Sequence, residues 1–67
     1  MMNEHIDIWR TAHILIKEYG GEASWIAAKR SDAFLEQGEV IASRIWTRVF
    51  CAIDWLESGP REDEVVN

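Results

Sequence analysis

Glycine stands at only four places in this chain, 20, 21, 38 and 59, and Gly20 and Gly38 each close a run of apolar residues spaced three and four apart. Glycine adopts the left-handed conformation that a helix C-terminus favours, so this punctuation divides the chain into three helix-length pieces. The periodicity predicts helices over about 3–19, 22–37 and 39–57. Nowhere does apolar character alternate with period two between turn residues, so strands are not expected. Connections of one or two residues make neighbouring helices double back or cross steeply, which predicts an all-α, compact three-helix domain over 1–58. Pro60 cannot continue the last helix, and residues 59–67 read as a frayed, disordered acidic tail.

The expected inward faces follow from the spacing. On the first helix they are His5, Ile8, Trp9, Ala12, Leu15, Ile16 and Tyr19, with Asn3 as N-cap. On the second they are Ala23, Ala27, Ala28, Ser31, Phe34 and Leu35, mostly small side chains that permit close approach. On the third they are Ala42, Ile45, Trp46, Val49, Ala52, Ile53 and Leu56. Gly20 and Gly21 invite comparison with a phosphate-binding loop. However, such a loop usually follows a strand and opens on bare amides, whereas here a helix precedes and Glu22 follows. The pair reads as an interhelical turn.

The run "LIKEYGGEASWIAAKRSDAFLEQGEVIASRIWTRVFCAIDWL" resembles a family of short all-helical proteins of unknown function from proteobacteria, chiefly alphaproteobacteria. The resemblance is carried by Tyr19-Gly20, Ala23, Ala27-Ala28, Arg30-Ser31-Asp32, Leu35, Gly38-Glu39, Trp46, Arg48-Val49, Ala52-Ile53 and Leu56. It implies a small cytoplasmic helical protein and brings no activity, cofactor or catalytic residue with it.

The residues that could carry chemistry are few. His5 and His13 sit two helical turns apart, about 12 Å, too far to share a metal ion. Cys51 is the only cysteine of 67 residues, so no internal disulfide can form, and a reducing compartment suits it. With no histidine nearby to activate it, a small packing role is expected. The serines lack a catalytic context, no cofactor is implied, and the chain is read as a non-enzyme. No uncharged apolar run is long enough for a membrane span, and the acidic start "MMNEHIDIW" does not read as a signal peptide.

Twelve acidic against seven basic residues give a net charge of −5, which counts against binding nucleic acid. Lys29 and Arg30 are expected to pair with Asp32 and Glu36 along their helix, with Arg30 also covering apolar surface at the rim. A helix-turn-helix reading of the last two helices meets Glu39 at the start of the would-be recognition helix, the wrong charge for a groove. The excess negative charge keeps open an alternative function, an acidic decoy that occupies a nucleic-acid-binding surface.

The four tryptophans carry the main functional signal. Trp9 and Trp46 fall on inward arcs. Trp25 projects with Lys29, Asp32 and Glu36, and Trp55 aligns with Val40, Arg44, Arg48 and Cys51 opposite the third helix's main stripe. Large apolar residues on a helix's back face need a second neighbour. Either the domain covers them itself, or they form a contact surface of tryptophan beside arginine, the usual composition of binding hot spots. The expectation is an interaction module that docks another protein, or a second copy as a homodimer, through Trp55, Arg48, Arg44, Val40 and Trp25.

Overall fold

In a computed structural model of the chain, residues 4–58 are described, with side chains from Asp7 onward. The Asn3 cap, the side chain of His5 and the tail at 59–67 lie outside this range. Every described element is helical: α1 Glu4–Tyr19, a 3-10 turn Gly20–Glu22, α2 Ala23–Glu36 and α3 Val40–Ser58. Helical conformation is assigned at every residue from 4 to 36, α-helical except for the 3-10 turn at 20–22. The described chain is therefore two continuous helical stretches, not three helices parted by open turns as the spacing suggests. Gly20 takes φ +58° and ends α1, but the 3-10 turn begins at that same residue and Ala23 N–H closes back on its carbonyl. Tight i→i+3 bonding leads directly into α2, so the glycine redirects the helix without opening it. Nothing phosphate-like is needed to explain the pair.

The second break is complete. Gly38 at φ +81° places Glu39 N–H 2.8 Å from Phe34 O and Gly38 N–H 3.0 Å from Leu35 O. These are the two bonds of a Schellman cap, which satisfies the last carbonyls of α2 within the turn. Glu39 then serves as the first residue outside α3, its carbonyl accepting from Ser43 N–H at 3.0 Å.

All three α segments meet in one core. Ile8, Ala12 and Leu15 of α1, Ala23 and Ala27 of α2, and Val49, Ala52 and Ile53 of α3 are buried. Trp9, Ile16, Ile26, Ile45, Trp46 and Leu56 pack partly buried around them. α3 lies against both other helices, while α1 and α2 touch each other much less. The extents, 41 × 28 × 20 Å, and the 12.9 Å radius of gyration describe a longer particle than the compact domain expected, since a globule of this length has a radius near 11 Å.

Two inward assignments need correction. Leu35 is 57% exposed and Tyr19 39% exposed, whereas Ile26, not assigned inward, packs on the core. Leu35 lies in the last turn of α2, and its carbonyl already belongs to the Schellman turn. Tyr19 is the last residue of α1, where the chain turns away. A helical face continues in sequence to the end of a helix, but the neighbour that would bury it does not.

The interface between α2 and α3 holds a polar knot. Ser31 and Ser43 are 8% and 7% exposed. Ser31 Oγ lies 2.9 Å from Ser43 O, 3.0 Å from Ser43 Oγ and 2.8 Å from Thr47 Oγ1, and Thr47 Oγ1 lies 3.0 Å from Ser43 O. Three hydroxyl protons thus serve four contacts, and Ser31 is the hub. Its small side chain continues the Ala23–Ala27 stripe at a spacing of four, which lets the two backbones approach closely.

Candidate interaction surface

α3 has an outer face turned away from the core residues Val49, Ala52 and Ile53. Val40, Arg44, Arg48, Cys51 and Trp55 follow one another at spacings of 4, 4, 3 and 4 and so share an arc of about 80°. All five are exposed: Val40 is 51% accessible and Trp55 49%, with the two arginines and the Cys51 thiol between them. The structure thus brings four of the five residues marked by the sequence onto one helix face. The domain does not cover them internally. Cys51, expected to pack as a small apolar residue, is instead an exposed thiol on this face.

Trp25 stands apart. It is 58% exposed on the side of α2 opposite the Ala23–Ala27–Ser31 stripe, and Lys29 Nζ lies 4.7 Å from its ring centroid. That i, i+4 stacking places the ammonium on an aromatic face, worth about 0.5–1 kcal/mol at an exposed site. Arg30 likewise sets its guanidinium 5.0 Å from the ring of Trp46 on α3. Both cations of "AAKRSD" therefore find aromatic partners across or along the helices, in place of the acidic neighbours anticipated from helical spacing.

Sequence reasoning passed over two features. Ile41, beside Val40, is the most exposed large apolar residue described, at 76%, and extends the face at the start of α3. Its spacing to Arg44, Arg48 and Trp55 carries the signal. The second is an open cleft of about 140 Å³ lined by Ala28, Ser31, Asp32, Thr47 and Phe50, beside the hydroxyl knot. Its hydroxyl groups already satisfy one another, and no buried side-chain polar atom among the described residues lacks a partner. The buried hydroxyls beside the cleft are therefore already partnered, and Asp32 is the one charged side chain in its lining.

Exposed His13 joins no cluster: among the described residues, no group of three or more His, Cys, Asp or Glu side chains is placed to hold a metal ion. Nor is any described helix long and apolar enough to cross a membrane. No family model, no curated protein and no solved structure matches this chain.

Proposed function

We propose that this chain is a cytoplasmic, non-enzymatic protein–protein interaction module, an all-helical member of the family it resembles, that docks through the outer face of α3. One observation carries the reading: Trp55 and Val40 stand half exposed at opposite ends of a single helix face, with Arg44 and Arg48 between them. With Trp55 49% exposed, covering the rest of its indole would recover roughly half of the 1.5–3 kcal/mol that full burial of a large side chain brings, about 1–1.5 kcal/mol. Tryptophan and arginine are also the residues that most often dominate binding energy. The partner is a second protein, or a second copy of the chain.

The test compares the native chain with Val40→Asp and Trp55→Asp variants. For the self-association version, solution mass is measured over a dilution series. The native chain should gain mass with concentration and both variants should remain monomeric. For the version with another protein, native chain and variants are used as baits under identical conditions. Proteins retained by the native chain should be lost from both variants. Retention unchanged by either substitution would move the docking site away from α3.

A further inference from the structure

We infer that the open cleft between α2 and α3 is a binding site for one arginine side chain presented by a partner protein. It shares no residue with the α3 arc from Val40 to Trp55, so it stands whether or not that arc docks anything. Its lining is Ala28, Ser31 and Asp32 from α2 with Thr47 and Phe50 from α3. Each polar side chain there can accept a hydrogen bond, and none has a proton to spare. Ser31 Oγ lies within bonding distance of Ser43 O, Ser43 Oγ and Thr47 Oγ1, and Thr47 Oγ1 also donates to Ser43 O. The hydroxyl protons are consumed inside this knot, so Ser31 and Thr47 have only lone pairs to offer a ligand.

Asp32 adds a charge that nothing near it answers. The two cations closest in sequence are directed elsewhere, Lys29 Nζ 4.7 Å from the Trp25 centroid and the Arg30 guanidinium 5.0 Å from that of Trp46. Among the described residues the exposed Asp32 carboxylate has no ion-pair partner. Phe50, 38% exposed, contributes an aromatic ring to the same cleft. Acceptor oxygens, an unanswered carboxylate and a ring suit a cation rich in N–H groups, whereas an anion would meet Asp32 with no donor to hold it. The net charge of −5 draws a cation in the same sense. Size narrows the class further. The cleft measures about 140 Å³, close to the roughly 150 Å³ that holds one benzene ring. That is below the roughly 300–1,000 Å³ of sites that enclose whole small molecules, so the occupant is a single side-chain head on a larger chain. A planar guanidinium fits such a space, forks a carboxylate and stacks on a ring at once, which a lysine ammonium does not.

The test titrates the full nitrogen-15-labelled chain, at low and constant ionic strength, with the blocked tripeptide glycine–arginine–glycine. Backbone amide shifts read both the affinity and the place. The expected result is saturable, millimolar binding with the largest shifts at Ala28, Asp32, Thr47 and Phe50. The same peptide carrying citrulline, the neutral isostere of arginine, should bind about fivefold more weakly or worse. Asp32→Asn should weaken the arginine peptide by up to about fivefold, the scale of one exposed ion pair, and Phe50→Leu by about two- to fivefold. Glu18→Gln makes the same charge change on α1 and should weaken it less than Asp32→Asn. Both cleft substitutions fall on exposed side chains, and unchanged helical circular dichroism establishes that the variants are folded. Absence of saturable shifts at the cleft would overturn the inference, as would equal binding of the arginine and citrulline peptides. Equal losses from Asp32→Asn and Glu18→Gln would overturn it too, by reducing the effect to net charge. A lysine peptide that binds as tightly as the arginine peptide would overturn the assignment to a guanidinium.

Discussion

The hydroxyl knot between α2 and α3 makes a quantitative demand. Ser31→Ala removes the hub: its own bond to Ser43 O and the contacts at 3.0 and 2.8 Å to the hydroxyls of Ser43 and Thr47. Thr47 Oγ1 keeps an acceptor in Ser43 O at 3.0 Å, but the Ser43 hydroxyl, 7% exposed with its residue, loses its cross-helix partner. One lost net hydrogen bond plus a buried hydroxyl left short of partners costs about 1–2 kcal/mol. For a domain this size that lowers Tm by roughly 5–15 °C. The Ser31→Ala/Ser43→Ala double variant removes both polar groups together and continues the alanine stripe already present at 23 and 27, so it should cost little more than either single change. The coupling between the two sites should therefore be about 1 kcal/mol, well beyond the additivity expected of independent positions. Thermal and urea unfolding of the four chains, followed by helical circular dichroism, measures the cycle. Additive losses, or a Ser31→Ala chain as stable as the native one, would refute the claim that these hydroxyls depend on one another.

Three further outcomes follow from the same structure. Gly20→Ala should destabilise by about 1–2 kcal/mol, because φ +58° is costly for a side chain although open space surrounds it, while Gly21→Ala should be neutral or stabilising by about 0.5 kcal/mol; unfolding curves separate the two glycines. Ile53→Ala, at a fully buried position shared by the helices, should cost about 2–5 kcal/mol and leave little folded protein at room temperature, read from the helical signal and its denaturant midpoint. Leu35→Lys should change stability by no more than about 0.5 kcal/mol, since that side chain is 57% exposed; a large loss in the same unfolding assay would restore the inward assignment.

Much of this molecule was legible one residue at a time. The helix-forming runs, the left-handed glycines at 20 and 38, and the core positions from Ile8 to Ile53 follow from backbone sterics and a period of 3.6. Both are local properties that a linear reading can reach. The α3 face was legible for the same reason, because Val40, Arg44, Arg48 and Trp55 belong to one helix and their common direction is set by spacing alone. What lay beyond reach involved a second element. Whether Gly20 opens a gap or bends a continuous helix depends on the hydrogen bonds made after it. Whether Leu35 is inside depends on where α3 stops covering α2. That Arg30 meets Trp46, and Ser31 meets Ser43 and Thr47, depends on which residues face one another across an interface, and helical periodicity carries no information about that pairing. Direction along one helix is determined by the sequence; company across two is decided only by packing, where the depth and offset of the contact select each partner.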